Sequence, residues 1–78
     1  MKRLSNEVKY QIADIMSASF MHLNMVQRNA AFGVIINAQI RVNGELTSLK
    51  MAFSEEDACH ITNLVLKRVQ VKVIEVSL

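Results

Sequence analysis

The chain has 78 residues, 51% of them hydrophobic, and nine basic against seven acidic side chains leave a net charge of +2. This length allows one domain, residues 1–78, and so small a charge excludes the strongly basic character typical of nucleic-acid-binding domains. The single cysteine excludes an intrachain disulfide, so the abundant hydrophobic residues favour stabilisation as a homodimer.

A long amphipathic helix is predicted from about Asn6 to Ala30, because apolar residues recur there at helical spacing. Either Ser5 or Asn6 can cap its first turn by accepting a backbone hydrogen bond. Gly33 is expected to provide the left-handed conformation in which many helices end, and Arg28 suits the negative end of the helix dipole.

Two strands are predicted over residues 34–42 and 45–53, joined by Asn43-Gly44, a dipeptide that suits a two-residue type I′ turn. The turn sets the register and divides the hairpin into two faces. One face is apolar and is expected to lie against the helices: Val34, Ile36, Ala38, Ile40 and Val42 with Leu49, Met51 and Phe53. The opposite face is mostly polar and is a candidate partner-binding surface: Asn37, Gln39, Arg41, Ser48 and Lys50.

A second helix is predicted from Glu55 to about Lys67, with Ser54 and Asp57 spaced as a reciprocal capping box. A third strand is predicted from Val69 onwards, because valines alternate with polar residues. The alternation changes phase at Val73-Ile74, which indicates either a bulge or an interface that covers both faces.

These elements predict an α+β fold in the order α-β-β-α-β. The three-stranded sheet is expected to have the order 2-1-3, with 1-2-3 as the alternative, and both helices are expected to pack on one face. The last strand offers an open edge for self-association or partner binding, with three further candidate residues: Ile74, Val76 and Leu78.

No catalytic residue, cofactor site or metal site is expected. Cys59 and His60 are adjacent on a helix and point about 100° apart, so they do not form a nucleophile and its base. His22 and His60 together supply fewer ligands than the three protein ligands of a catalytic zinc site. The glycines, Gly33 and Gly44, have turn explanations and form no phosphate-binding loop.

The sequence therefore predicts a small non-enzymatic protein-binding module, an adaptor or an inhibitor that occludes a site on a larger protein assembly, as phage-encoded host modulators do. The alternative is a nucleic-acid-binding regulatory protein that uses Arg41, Lys50, Lys67, Arg68 and Lys72, although the polar hairpin face has no aromatic residue for base stacking. Without a signal peptide or an apolar run of ~18 residues, a cytoplasmic location is expected, with no membrane partner and no small-molecule substrate.

Overall fold

A computed structural model of the chain describes residues 3–20 and 28–77, with the backbone alone for residues 28, 29 and 70–77. The described elements are four helices and two strands: α1 (Asn6–Ser19), α2 (Arg28–Ile36), β1 (Ile40–Val42), β2 (Glu45–Thr47), α3 (Leu49–Ala52) and α4 (Glu55–Ser77). The fold is mostly helical, and its one described sheet has two strands. The predicted α+β fold, with two helices on a three-stranded sheet, is therefore wrong.

Helix α4 is the centre of this fold, because α1, α2 and α3 all pack against it. Its buried apolar residues recur every three or four positions and therefore form one face: Ala58, Ile61, Val65 and Val69. The other three helices contribute the rest of the core: Ala13 and Met16, Ala31 and Ile35, and Leu49. The hydrophobic core thus lies between helices and not between helices and a sheet.

Serine hydroxyls cap both α1 and α4. The hydroxyl of Ser5 accepts the N–H of Val8 at 3.2 Å, which decides between the two candidate caps. The hydroxyl of Ser54 accepts the N–H of Asp57 at 3.2 Å, so the predicted start of this helix is confirmed. The carboxylate of Asp57 acts across the fold, where it accepts the N–H of Leu4 at 3.0 Å.

The single helix predicted over residues 6–30 is interrupted. Helix α1 ends at Ser19, and residues 21–27 of the prediction lie outside the described residues. Arg28, expected near a helix C-terminus, is the first residue of α2, and Gly33, expected to end a helix, lies inside α2. The predicted helix end at this point is therefore wrong.

The turn and register of the hairpin are confirmed. Asn43 and Gly44 have φ values of 52° and 85°, the left-handed conformation that a type I′ turn requires. The antiparallel pairs are those predicted: Ile40 with Thr47, Arg41 with Leu46 and Val42 with Glu45. The ladder stops there, so the strands are much shorter than the predicted 34–42 and 45–53.

The residues expected to extend both strands are helical instead. Ala31 and Ile35 lie one helical turn apart and are both buried, so packing of this face outweighs the strand preference of the β-branched residues. On the other side, the hydroxyl of Ser48 accepts the N–H of Met51 at 3.3 Å and caps α3, which places Leu49 in the core. The predicted faces are therefore wrong beyond the paired residues. Met51, assigned to the core face, is exposed, whereas Ile35, which the same register places on the opposite face, is fully buried.

The third strand is also wrong, because residues 69–77 continue α4 as far as Ser77, well beyond the predicted end near Lys67. Val69 follows Val65 by one helical turn and is buried on the same face. Valine favours strands mainly through side-chain packing, so a helical position that reaches the core overrides this preference. Neither the bulge nor the strand interface predicted at Val73-Ile74 is present.

Candidate protein-interaction surface

The hairpin has two outer edges, because β1 and β2 pair with no other strand among the described residues. In a hairpin with a two-residue turn, the residues that flank the turn are hydrogen-bonded to each other. The N–H and C=O groups of the next pair, Arg41 and Leu46, therefore point to the outer edges of β1 and β2 respectively. The Arg41 guanidinium donates to the carbonyl oxygen of Gly44 at 3.1 Å, which ties this side chain to the turn.

A surface hollow of about 620 Å³, here called the α3 hollow, lies beside β2 and α3. Its lining combines polar and apolar residues: Asn37, Gln39, Leu46, Thr47, Ser48, Lys50 and Met51. The two large apolar side chains are unusually accessible, with Leu46 62% exposed and Met51 78% exposed. Accessible apolar side chains with polar residues around them are typical of protein interfaces.

Four residues predicted as a partner-binding surface line the α3 hollow: Asn37, Gln39, Ser48 and Lys50. The hairpin brings the two segments together at its base, although not through the strand pairing that was predicted. The hydroxyl of Ser48 is occupied by the cap of α3, and the amide of Asn37 donates to the carbonyl oxygen of Gly33 at 2.9 Å. Gln39, Lys50 and Asn37 are exposed, so a partner can contact these polar side chains.

The remaining predicted site residues lie elsewhere. Arg41 is exposed but does not line the α3 hollow. Ile74 and Val76 belong to the last turns of α4, where the helical backbone offers no strand edge. Strand addition through these two residues is therefore wrong, and Leu78 lies outside the described residues.

A second hollow of about 410 Å³, here called the α1 groove, lies between α1 and β1. Most of its lining is apolar, from Ile12, Ile15, Met16, Ile40, Val42 and Phe53. Ser19, Gln39 and Arg41 complete the lining. Among the described residues of this lining, Arg41 is the only charged one. Ile15 is 73% exposed, so the wall that α1 contributes is accessible to solvent.

The sequence pattern had predicted buried positions for two of these exposed apolar residues, Ile15 and Met51. Ile15 was placed on the apolar stripe of a core helix, and Met51 was placed on the core face of a strand. Leu46 gave the clearest signal, because it is a large apolar residue on the otherwise polar face next to the turn. No comparable signal was available for Met51, since its exposure depends on the short helix that Ser48 begins.

A polar cluster joins the start of α1 to the start of α4. Nζ of Lys9 lies 3.3 Å from Oδ1 of Asp57 and 3.1 Å from Nδ1 of His60. The N–H of Leu4 and the Lys9 ammonium hold the pKa of the Asp57 carboxyl below its ordinary value, although burial opposes this shift. A lysine ammonium can only donate, so Nδ1 of His60 is the acceptor in this contact. These contacts hold the start of α1 against the start of α4.

The basic residues of the nucleic-acid alternative are only partly available. Nε of Arg68 lies 2.7 Å from Oδ1 of Asp14, so its charge is paired. Arg41, Lys50 and Lys67 are exposed, and the side chain of Lys72 is outside the description. The described lining of the α3 hollow contains no aromatic ring on which a base can stack.

Across residues 3–20 and 28–77, no helix combines the length and hydrophobicity needed to cross a lipid bilayer. Within that part of the chain, no three His, Cys, Asp or Glu side chains are grouped so as to hold a metal ion. No protein-family model, curated protein or solved structure matches the chain. A function for this chain must therefore be argued from the α3 hollow and the α1 groove.

Proposed function

We propose that this chain is a small non-enzymatic protein-binding module that works in the cytoplasm as a homodimer, either as an adaptor or as an inhibitor that occludes a site on a larger assembly. The observation that carries this proposal is the exposure of Leu46 and Met51 in the α3 hollow. A partner that covers these side chains removes apolar surface from water, which is favourable for association. The unbranched Met51 can adapt its shape to the partner.

The outer edge of β2 provides a route to the homodimer. If β2 pairs antiparallel with β2 of a second copy about a twofold axis at Leu46, the two hairpins form one continuous sheet. Leu46 then lies opposite Leu46 of the second copy, and Glu45 lies opposite Thr47. No like charges meet in this arrangement, which supports it over pairings that oppose equal charges.

Nucleic-acid binding has less support from the same observations. Three basic side chains are paired with carboxylates and so contribute less to an electrostatic surface: Arg3, Lys9 and Arg68. Phosphate recognition relies on unpaired basic side chains and produces binding that weakens steeply with salt. The exposed apolar side chains, in contrast, favour a protein surface as the ligand.

Multi-angle light scattering tests the homodimer, with Leu46→Lys and Met51→Lys as variants. Wild type is expected at twice the monomer mass and both variants at the monomer mass, because a buried unpaired ammonium opposes association. Tyr10→Lys is the matched control, since Tyr10 is 46% exposed on α1 and lies outside both hollows. A wild-type protein that stays monomeric at its highest soluble concentration would overturn the dimer.

Affinity capture from the native host lysate, with and without nuclease, tests the binding of a larger protein. Wild type and Tyr10→Lys are expected to retain the same protein after nuclease treatment, and Leu46→Lys is expected to lose it. Retention that disappears with nuclease would favour nucleic acid as the ligand. Equal retention by Leu46→Lys would show that the α3 hollow is not the contact surface.

A further inference from the structure

We propose that the α1 groove binds an extended segment of a partner protein, in which apolar and acidic residues alternate, as an added strand on the outer edge of β1. This inference rests on the proposed protein-binding function, but it concerns the opposite edge of the hairpin from the α3 hollow. It assigns the groove a ligand of defined conformation, polarity and charge.

The outer edge of β1 carries backbone groups that an added strand can bond. The N–H and C=O of Arg41 point to the outer edge of β1, and strand addition uses such groups for main-chain hydrogen bonds. The strand Ile40–Val42 is short, so these bonds alone give little affinity. The apolar side chains beside β1 must therefore supply the rest of the binding affinity.

The side chains of the α1 groove favour apolar residues at alternate positions of an added strand. Alternate residues of an added strand lie on the same face as Ile40 and Val42, two apolar residues of the groove lining. These residues would contact the apolar side chains that complete the lining: Ile12, Ile15, Met16 and Phe53. Every second residue of the bound segment is therefore expected to be apolar.

The charge of Arg41 favours acidic residues at the intervening positions of the bound segment. The intervening residues of the added strand lie on the Arg41 face, and Arg41 is the only charged residue among the described lining residues. An acidic residue beside it forms a favourable cross-strand pair, whereas a basic residue is repelled. Only one guanidinium N–H is engaged by Gly44, so other donors of the group remain for a carboxylate.

The same charge argues against a second copy of this chain as the occupant of the β1 edge. Antiparallel pairing of β1 with itself about Arg41 would place two guanidinium groups side by side, which is unfavourable. The α1 groove is thus suited to an acidic segment from a different protein, while the β2 edge is the one compatible with self-pairing.

Fluorescence anisotropy with synthetic labelled hexapeptides tests this inference. One set alternates Val, Ile, Leu or Phe with Glu, and a matched set replaces Glu by Lys. Wild-type protein is expected to bind Glu peptides saturably and the matched Lys peptides about 2-fold to 30-fold more weakly, from cross-strand pair energies of about 0.2–1 kcal/mol of either sign. Arg41→Glu is expected to reverse this preference.

Two further arms test the groove and the strand geometry. Ile15→Asp is expected to abolish binding of the Glu peptides, while Tyr10→Asp on the same helix is expected to retain it. Methylation of the peptide nitrogens that face β1 is expected to abolish binding, whereas methylation of the alternate nitrogens is not. The absence of saturable binding in the Glu set, equal binding of both sets, or equal effects of the two methylation patterns would overturn the inference.

The Leu46→Lys variant separates this inference from the proposed function. If the peptide binds in the α1 groove, Leu46→Lys retains peptide affinity even when it has lost dimerisation or partner capture. A variant Ile15→Asp that binds the Glu peptides as tightly as wild type would overturn the α1 groove alone and leave the α3 hollow unaffected.

Discussion

Replacing Leu49 by alanine tests the packing of α3 against α4, since Leu49 is fully buried in a helix of only four residues. Leucine-to-alanine substitutions at buried positions cost about 2–5 kcal/mol, because apolar contacts are lost and a cavity remains. At about 0.05–0.15 kcal/mol per residue, the 78-residue chain has a total stability of about 4–12 kcal/mol. Leu49→Ala is therefore expected to remove a large part of that stability and to lower Tm by about 8–40 °C.

Urea unfolding followed by circular dichroism measures this loss, with Ile15→Ala as the matched control. Ile15 has an aliphatic side chain of the same size but is largely exposed on α1, so its truncation is expected to change stability by less than about 0.5 kcal/mol. The slope of free energy against urea is expected to stay constant, so that the midpoint reports stability. A loss below about 1 kcal/mol for Leu49→Ala, or an equal loss for Ile15→Ala, would refute the packing of α3.

Three other substitutions test local features of the fold. Asp57→Asn is expected to lower Tm at neutral pH, because the nearly buried Lys9 loses its ion pair. The pKa of Asp57 is lowered in the folded state. The stability that this ion pair contributes is therefore present above the unfolded pKa near 4 and is lost as pH falls through the folded pKa. Thermal melts at several pH values therefore should show the two proteins converging in acid, and a constant difference would contradict the ion pair. Gly33→Ala is expected to stabilise the protein by about 0.5–1 kcal/mol, because Gly33 lies in a helix with open space around its Cα. Gly44 also has open space around its Cα, but its φ is 85°, so Gly44→Ala is expected to destabilise the protein by about 1–2 kcal/mol. Stability changes of the same sign for Gly33→Ala and Gly44→Ala in urea unfolding would contradict these two predictions.

The features predictable from the sequence were those set by adjacent residues. Asn43-Gly44 tolerates positive φ, so its turn and the pairing next to it followed directly. Ser54 followed by acidic residues likewise marked the start of α4. In each case the decisive hydrogen bonds or dihedral angles lie within a few positions of the residue that causes them.

The features that were missed depend on contacts between distant parts of the chain. The β-branched run that contains Ile35, and the valines after Val69, have strand propensity, but both segments reach the core as helices. Periodicity alone does not decide such cases, because a short apolar run fits both a strand and a helical stripe. Val69 was already part of a helical series with Ile61 and Val65, and that longer series was the better guide.

The candidate surface was predictable only in part. Gln39 and Lys50 were selected because the register placed them on a polar face, and they do line the α3 hollow, although through loop and helix positions. Met51 was assigned to the core because Ser48 was interpreted as a strand residue and not as a helix cap. One local assignment of this kind changes which side chains a partner can reach.

The bond between Leu4 and Asp57 spans 53 positions of the chain and joins the first helix to the last. Closing a loop of that length costs about 3–4 kcal/mol of chain entropy, and nothing is gained until α4 is present. Because α4 follows α1 and α2 in the chain, their buried faces have no main partner until α4 has been synthesised. A chain truncated before Glu55 therefore leaves those apolar faces exposed to water.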